Sequence, residues 1–513
     1  MDKNYMNIPA EKFKVATGRK LSDKKLATKP VGYFKDAMIR FSRNKSSVAA
    51  SIIILFLFLY AIVVPYISNY NVEFRDGYYK MVLPRSKTFA FLGWDGCREQ
   101  NEAQSGYDYL NSIGQEYGTS AVLKVNERYK DSNGIPFYKL YVDSYEKVGF
   151  VYADLSADEY QKLQKYQNDT GIQVIYPLPV YYKTNFVSVG SAANLWYELA
   201  DETANTQGLS KYHADNGDPI YVPAYHTSSN KNRAQYDSLR IEGDNGGADG
   251  ETWYTYAAKN QTGYRVRVLY KEYYNYKNGF YAQHLLGTNQ HGQDIFACLA
   301  YGARLSFLLA ISVSVINFFI GVIYGAVEGY YGGAVDLILE RISDILASIP
   351  FIVVATLFKM HLADKVGPIV SLLFAFVLTG WIGIAHRVRT QFYRFKGQEY
   401  VLAARTLGAS DSRLIFRHIL PNSLGTIITS TVLIIPGVIF RESMLSFLGI
   451  ISLETSGLTS IGTMLSNGQA YLSSFPHIIL FPALFISLLE ISFNLFGNGL
   501  RDAFNPSLRG ADE

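Results

Sequence analysis

The sequence predicts an α-helical polytopic membrane protein with six transmembrane helices and an inserted α+β extracellular domain. Long apolar runs without charge occur once near the start of the chain and repeatedly after residue 304. A polar stretch, residues 69–282, separates the first run from the others and is long enough to form its own core. Lys and Arg are concentrated in the segments that six spans would leave on one face of the membrane.

The averages over the whole chain conceal this division. Mean hydropathy is +0.03 and net charge is +4 over 513 residues, values that would also fit a soluble enzyme. The total charge gives no support for nucleic-acid binding. The two cysteines, Cys97 and Cys298, provide neither a disulfide framework nor a zinc-ligand spacing, so we expect both to act as small apolar residues.

The first predicted span is residues 48–67, because twenty uncharged residues match the thickness of the hydrocarbon core. A half-polar turn that holds Glu340, Arg341 and Asp344 is expected before the third span. The five further spans are residues 305–327, 346–362, 368–385, 424–440 and 477–496. An even number of spans places both termini on the same side of the membrane.

The distribution of basic residues indicates which side that is. Residues 1–47 contain twelve Lys and Arg against four Asp and Glu, and residues 386–422 contain seven against two. Basic loops remain in the cytoplasm. We therefore expect both termini and the loop between spans four and five to be cytoplasmic.

The external region, residues 69–282, contains 22 basic and 26 acidic residues and 29 of the 40 tyrosines. A helix is expected at residues 157–168, and long loops are expected at residues 201–250, which are rich in Asn, Asp, Gly and Ser. Strands are expected within residues 121–125, 137–142, 149–155 and 174–179. The helix and the last two strands predict a β-α-β piece.

Catalytic motifs are missing from the sequence. It has no GxxxxGK[ST] phosphate loop, no HExxH, no GxSxG and no CxxC. We expect no catalytic residue, no cofactor and no metal site. A protein with six spans and no energy-binding motif is a passive pore, a carrier driven by an ion gradient, or a subunit powered by a partner.

The cytoplasmic segment at residues 399–422 favours the last of these. A helix is expected from Glu399 to Leu407, with the small residues Ala403 and Ala404 where another surface could approach closely. Gly408 can adopt the positive φ that ends a helix. A second short helix is then expected from residue 411, with Ser410 as its N-cap.

Pro421 is expected to block further helix just before span five. The whole segment therefore predicts a compact helix-turn-helix that docks a partner. The alternative is a solvated loop that follows the charge rule of cytoplasmic segments.

The same residues resemble the EAA signature of permease subunits in bacterial ABC importers. The matching positions are Leu402 to Ala404, Gly408, Leu420 and Pro421. Other stretches that resemble the oligopeptide/dipeptide/nickel group, and within it the C-type oligopeptide permease, are residues 41–47, 286–296, 301–306, 442–449 and 493–506. The resemblance covers residues 1–70 and 283–513.

The resemblance implies the type I ABC importer permease fold and a subunit that forms half of a translocation pore for oligopeptides. It also implies a homologous B-type permease subunit, two ATPase subunits and an extracellular substrate-binding lipoprotein as partners, besides peptide substrate and membrane lipid. Alternative functions are import of dipeptides or chelated nickel by the same group. A membrane-anchored receptor that acts through the external region is a further alternative.

One group of site residues follows from the resemblance. The ATPase-coupling residues are Glu399, Leu402, Ala403, Ala404, Gly408, Leu420 and Pro421. Leu402 stands where the signature has Glu, and Glu399, three positions earlier on the same helical face, could replace its charge. Four neutral residues stand where the family's charged residues are expected: Asn289, Gln293, Asn498 and Asn505.

Charged residues inside predicted spans are candidates for a substrate pathway, because charge in lipid is costly. They are Arg441, Glu442 and Glu490, with Asn494 beside them on span six. An alternative for Arg441 and Glu442 is a salt-bridged or interfacial pair outside the pathway.

The expected division of the chain has five parts. They are a basic cytoplasmic segment with an amphipathic helix (1–47), span one (48–67), the extracellular domain (69–282), the permease core with cytoplasmic coupling helices at 397–422 (283–497), and a cytoplasmic tail (498–513). Three functions remain open for the extracellular domain: a docking surface for the lipoprotein, a spacer or lid, or a peptide-binding site.

Overall fold

The computed structural model describes residues 33–114, 117–176, 178–179, 192–194, 197–199, 221–223, 254–259, 263–451 and 459–504. The loops expected at residues 201–250 lie outside the described residues, except for a short strand at 221–223. Asn505 also lies outside them.

Two helices precede the polar region. They are α1 (Tyr33–Arg43) and α2 (Lys45–Ile67). Asn44 caps α2 by accepting a hydrogen bond from the backbone N–H of Ser47 at 3.3 Å. The 23 residues of α2 carry no charge after Lys45 and are enough to cross the hydrocarbon core, which confirms the first predicted span.

The polar region contains both strands and helices. The strands are β1 (Cys97–Ala103), β2 (Val122–Lys130), β3 (Pro136–Asp143), β4 (Phe150–Leu155), β5 (Ile175–Tyr176), β6 (Leu178–Pro179), β7 (Tyr197–Leu199), β8 (Tyr221–Pro223), β9 (Tyr254–Thr255), β10 (Ala258–Lys259) and β11 (Tyr264–Leu269). The helices are α3 (Gln104–Ser112), α4 (Ala157–Thr170) and α5 (Tyr270–Asn278). The expected strands and the expected helix are confirmed.

These strands form small antiparallel sheets. One sheet has the order β1-β3-β2, and a second has the order β10-β11-β4 with β5 also paired to β11. β11 runs antiparallel to both β4 and β5 and lies between them, so β4 and β5 are parallel. The predicted β-α-β piece is therefore present, with one strand inserted into it.

Many of the tyrosines that dominate the composition of this region form its core. Buried examples are Tyr79, Tyr145, Tyr160, Tyr273 and Tyr274. The hydroxyl of Tyr270 donates to the Asp76 carboxylate at 2.7 Å, and burial raises the pKa of this tyrosine. The phenol therefore stays a hydrogen-bond donor at neutral pH, because its burial penalises the ionised form.

The remaining chain is helical. The helices are α6 (Ile295–Tyr331), α7 (Gly333–Ala347), α8 (Phe351–Val366), α9 (Pro368–Gly380), α10 (Ile382–Lys396), α11 (Glu399–Thr406), α12 (Asp411–Arg413), α13 (Leu420–Val432), α14 (Ile434–Phe447), α15 (Ile461–Gly468) and α16 (His477–Phe504). Within the described residues, five helical stretches could cross a membrane, or six if α7 and α8, bent by 74°, form one broken span.

The half-polar turn expected before the third span is wrong. Glu340, Arg341 and Asp344 lie in helix α7. Their charges are satisfied there, since Arg341 pairs with Asp344 at 2.9 Å and Glu340 accepts from Arg389 at 3.0 Å. Helix formation in this stretch therefore needs no unpaired charge.

Pro421 does not stop the helix as expected. The helical path continues from α12 into α14 and passes through a π-helical turn at Leu414–Ile419. Pro421 sits in the first turn of α13, where its missing N–H has little effect. The wider π-turn just before it is a change of ladder that a single proline does not reveal in the sequence.

Helices α6 and α10 pack closely through glycine. Gly321, Gly325 and Gly329 recur at every fourth position of α6 and face α10. A Cβ atom built on Gly325 would lie 2.2 Å from the carbonyl oxygen of Ala385, which is closer than atoms can approach. The missing side chains therefore set the distance between the two helices, as small residues do in membrane proteins.

The turn that leads into α6 contains Asn289 and Gln293, two neutral residues at positions where charged residues are expected. Asn289 donates to the side chain of Gln293 at 2.9 Å, and both are buried. Asp294 caps α6 through the backbone N–H of Ala297 at 2.7 Å and also bonds His284 at 2.9 Å. The neutral pair thus retains a hydrogen bond at positions where a charged pair was expected.

Candidate functional site

The helix pair on either side of Gly408 has the geometry that the sequence predicts. Helix α11 ends at Thr406, and Gly408 follows with φ of +81°. The N–H of Ala409 then donates to the carbonyl of Ala404 at 3.1 Å, which closes the helix end. Ser410 is extended and precedes α12, but its side chain makes no capping hydrogen bond.

One face of this pair packs against the membrane helices. Val401, Leu414 and Ile419 are fully buried in a cluster with residues of α6, α10 and α13. Ala404 and Leu420 are partly buried in the same cluster. Of the two alanines of the signature, Ala403 is exposed and Ala404 supports the chain's own core.

The exposed face of the pair carries large apolar side chains among its charged ones. Leu407 is 88% exposed, and Phe416 and Leu402 are 58% and 46% exposed. Other exposed members of this face are Glu399, Ala403, Gly408 and Pro421. Three large exposed apolar side chains on one short helix pair indicate a surface that a partner covers. We call Leu402, Leu407 and Phe416 the docking face.

Hydrogen bonds tie the helix pair to the end of α6. The hydroxyl of Tyr330 donates to the carboxylate of Asp411 at 2.5 Å. A guanidinium nitrogen of Arg405 donates to the same hydroxyl at 3.1 Å. Both helices of the pair therefore bond a single residue of a long membrane helix.

A charge cluster lies beside this connection. The guanidinium of Arg389 bonds Asp336 at 2.6 and 2.9 Å and Glu340 at 3.0 Å, and it lies 3.5 Å from Glu328. The three acids have carboxylate oxygens within 4.8 Å of one another, a spacing compatible with a cation. The Arg389 guanidinium already supplies positive charge between these carboxylates. The resulting ion-pair network joins α6, α7 and α10.

A cavity of about 320 Å³ lies among α6, α9, α10, α13 and α14. Arg441 and Arg387 both line it, together with Asn317 of α6. Asn317 is fully buried, and within the described part of the chain neither amide atom has a hydrogen-bond partner. Buried polar groups usually find partners, so a cavity with an unsatisfied amide suits a polar occupant.

Of the four residues expected in a substrate pathway, Arg441 lines this cavity and the other three do not. Glu442 is 1% exposed and accepts hydrogen bonds from Ser306 at 2.9 Å and Ser446 at 3.2 Å. No ion pair joins it to Arg441 within the described residues, so the alternative of a salt-bridged pair is wrong. Serine hydroxyls satisfy this carboxylate inside the helix bundle.

Glu490 and Asn494 lie away from the cavity on α16. Glu490 is partly buried, and its Oε1 has no hydrogen-bond partner among the residues that the structure describes. The amide of the exposed Asn494 donates to the backbone carbonyl of Glu490 at 2.9 Å, an ordinary bond within one helix turn.

Reasoning from the sequence missed three features of the site. Arg387 falls in a loop if span four ends at Ala385, whereas the helix continues to Lys396. Asn317 is an inconspicuous polar residue in a long apolar run. The glycine repeat of α6 was a readable signal, since its spacing of four places all members on one helix face.

Comparison with known proteins places the chain in a family. Residues 317–510 match the model of the binding-protein-dependent transport system inner membrane component. Residues 32–84 match the N-terminal TM domain of oligopeptide transport permease C. Residues 85–316, which include most of the external region, lie outside both matches.

Relatives agree with these matches. The oligopeptide transport system permease protein OppC of Bacillus subtilis is 42% identical over 226 residues, which are 44% of this chain and 72% of that protein. The dipeptide transport system permease protein DppC of the same organism is 42% identical over 44% of this chain and 70% of that protein. OppC of Haemophilus influenzae is 39% identical, over 44% of this chain and 71% of that protein.

A solved chain of the inward facing MetNI methionine ABC transporter aligns over 40% of this chain and 96% of its own, with 16% identity and a TM-score of 0.31. The family assignment rests on the sequence matches, which cover more than two thirds of each relative named above. The chain therefore belongs to the binding-protein-dependent transport system inner membrane components, as a multi-pass permease subunit of the group that contains the C-type oligopeptide and dipeptide permeases.

Proposed function

We propose that this chain forms half of the translocation pore of an ABC importer for oligopeptides and is driven by cytoplasmic ATPase subunits through the docking face. The observation that carries the proposal is the exposure of Leu402, Leu407 and Phe416 on a helix pair whose other face is anchored in the membrane helices. Such a pair can transmit a rigid-body movement of a bound partner to the pore.

The anchoring contacts supply the mechanical link. Arg405 and Asp411 come from different helices of the pair, and both bond Tyr330 of α6. Closure of two ATPase subunits on ATP would move each docked helix pair, and α6 would follow. ATP binding then selects between inward-facing and outward-facing arrangements, as a ligand shifts a two-state equilibrium.

The partners proposed with this function are a homologous B-type permease subunit, two ATPase subunits and an extracellular substrate-binding lipoprotein. Exposed apolar residues along α2, α6 and α8 leave large surfaces for lipid and for a second permease subunit. The residues proposed for ATPase coupling remain Glu399, Leu402, Ala403, Ala404, Gly408, Leu420 and Pro421.

In the proposed orientation both termini and the helix pair are cytoplasmic, and residues 69–282 are extracellular. The excess of basic residues in 1–47 and 386–422 supports this orientation. We propose that the extracellular domain enlarges the docking surface for the lipoprotein. Arg98 links this domain to the membrane helices, since it donates to the carbonyl of Ser474 at 2.8 Å and its guanidinium lies 4.3 Å from the ring centre of Phe475.

Oligopeptides are the proposed substrate because the match at residues 32–84 is to an oligopeptide permease segment. The relatives named for oligopeptide and for dipeptide transport are equally similar at 42% identity, so dipeptides are the second candidate. Peptides of two to eight residues presented to the reconstituted importer would distinguish the two substrate classes by which lengths stimulate ATP hydrolysis.

The decisive experiment for the coupling role changes the docking face. Leu407→Asp should lower peptide uptake and co-purification of the ATPase subunits about tenfold or more. The substitution replaces an apolar anchor of the proposed interface with a charge that the interface would bury. Leu123→Asp, at an apolar side chain that is 56% exposed in the external region, is the control for ATPase binding and should leave co-purification of the ATPase subunits unchanged. Unchanged uptake by Leu407→Asp at a normal membrane level would contradict the coupling role.

A further inference from the structure

The cavity beside Arg441 has a smaller neighbour. The smaller cavity has a volume of about 170 Å³ and shares Ser430 and Leu433 with the larger one. Ser430 and Arg441 are eleven residues apart on a helical path, which corresponds to about 16 Å along the axis. The two cavities share part of their lining, and we call them together the arginine groove.

The charges along this groove have one sign. Arg441 and Arg387 line the larger cavity, and Arg394 and Arg501 line the smaller one. Neither lining contains Asp or Glu among the described residues. A groove with walls of low dielectric concentrates such a field, so it attracts an anionic group and repels a cationic one.

Two of these arginines have no carboxylate partner within the described part of the chain. No ion pair involves Arg387 or Arg441, and the guanidinium of Arg441 lies 5.6 Å from the ring centre of Phe351. Arginine in a membrane helix is costly unless it faces a water-filled cavity or a counter-charge. An anion that enters the groove would supply the counter-charge that both guanidinium groups lack there.

Asn317 provides an independent indication of a polar occupant. It is fully buried on the wall of the larger cavity, and both amide atoms lack partners among the described residues. The missing side chain of Gly380 makes room for it, since a Cβ there would lie 2.3 Å from Nδ2 of Asn317. The amide can donate to an oxygen that one of the arginines also binds.

We infer that the arginine groove binds the C-terminal carboxylate of a peptide during translocation, with Arg441 and Arg387 as its ligands and Asn317 as a further donor. Guanidinium groups bind carboxylates through two parallel hydrogen bonds, which suits them to recognise this group in any peptide sequence. The inference rests on the proposed peptide import and assigns a specificity to the same pore.

The test compares two forms of one peptide that has no acidic side chain, with either a free C-terminal carboxylate or a C-terminal amide. The complete importer with its lipoprotein is reconstituted in vesicles, and uptake of each form is measured for the wild type, Arg441→Gln and Arg387→Gln. The quantity of interest is the ratio of acid to amide uptake in each variant relative to the wild type. Selection by the lipoprotein cancels in this comparison, because every vesicle carries the same lipoprotein.

Each variant should lower the acid-to-amide ratio about tenfold, because a hydrogen bond to a charged group contributes that much to affinity. Arg441→Lys should restore part of the ratio, since it returns the charge without the bidentate geometry. Arg304→Gln is the matched control, because Arg304 lies in α6 against Tyr66, outside both linings.

Two results would overturn the inference. An equal fall in acid and amide uptake, which leaves their ratio unchanged, would assign the arginines to folding or to a contact with the partner permease. Wild-type uptake of both peptides by both variants would exclude the arginines from carboxylate binding. Absence of uptake of either peptide by the wild-type importer would instead refute the proposed function, and the inference with it.

Discussion

Tyr330 at the end of α6 donates a hydrogen bond of 2.5 Å to Asp411, the first residue of α12. This bond joins a membrane helix to the helix pair, and Arg405 extends the connection to α11 at 3.1 Å. The docking face thus has a polar connection to a 37-residue helix in addition to its apolar packing.

Tyr330→Phe should uncouple ATP hydrolysis from transport. The change removes the hydroxyl that joins both helices of the pair but leaves the ring in place, so the subunit should assemble normally. We expect uptake per ATP hydrolysed to fall several-fold, consistent with loss of two hydrogen bonds worth about 1 kcal/mol each. Tyr331→Phe, at the exposed neighbour, is the control and should behave as the wild type.

Gly408→Val should abolish peptide uptake while the subunit still reaches the membrane. No atom lies within 4 Å of a Cβ built on Gly408, so the effect comes from its φ of +81°, which a β-branched residue adopts only with strain. The variant would reorient α11 against α12. Gly397→Val is the matched control, because Gly397 also has open space around its Cβ position but a φ of −92°. Equal uptake by both variants would contradict this explanation.

Gly325→Ala should destabilise the purified subunit by about 1–3 kcal/mol, as overpacking of a tight interface does. Its Cβ would meet the carbonyl of Ala385, a backbone atom that cannot move without a shift of α10. Gly383→Ala meets nothing within 4 Å and should be neutral or slightly stabilising. The midpoint of thermal unfolding in detergent measures both, and a loss of stability only in Gly383→Ala would refute the packing argument.

Arg389→Gln should destabilise the subunit by about 3 kcal/mol, because it leaves the fully buried Glu328 without a neighbouring positive charge. Glu328→Gln in the same chain should restore much of the loss by removing the buried charge. Arg341→Gln breaks an exposed pair with Asp344 and should change stability by less than about 0.5 kcal/mol. Thermal unfolding of the four proteins forms the test.

Cys97 should react slowly with thiol reagents. Burial, with the nearby carboxylates of Asp143 and Asp95 as smaller causes, raises the pKa of this thiol to about 12 from its ordinary value of 9.0. Thiolate is the reactive form, so the labelling rate at pH 8 should be lower by roughly three orders of magnitude than for an unperturbed thiol, and it should rise only as the pH approaches 12. Labelling of the unfolded chain at pH 8 provides the reference rate.

The low reactivity of Cys97 permits a test of orientation. Asn133→Cys places a thiol on the exposed turn between β2 and β3. A membrane-impermeant maleimide should label this variant in intact cells and leave the wild type almost unlabelled. Labelling only after the cells are opened would contradict an extracellular position for residues 69–282.

The membrane helices and the helix pair could be predicted from local signals. Twenty uncharged residues predict a span, and Gly408 with the preceding helix predicts a helix end, because these features act within a few turns of the chain. The helix through Pro421 could not be predicted, since a π-turn depends on the packing of Leu414 and Ile419 against other helices. Proline alone predicts a stop.

The candidate pathway shows the same limit. Arg441 is a candidate because charge in a span is unusual. Its neighbour in sequence, Glu442, accepts hydrogen bonds from Ser306 and Ser446 and does not line the groove. Consecutive residues on a helix differ by about 100° in direction, so one faces the cavity while the next is buried in the bundle. Asn317 and Arg387 line the larger cavity because the packing of α6 and α10 places both side chains on its wall.

The sequence by itself determined the kind of membrane segments, the separate polar region and the family, because hydropathy and short motifs are read residue by residue. Only the tertiary structure decided which polar groups meet: Tyr330 with Asp411, Arg389 with three acids, and Arg441 with Arg387 and Asn317 along one groove. The physical reason is that these contacts depend on how the packed helices are rotated and spaced. Side chains from distant parts of the chain determine that packing jointly.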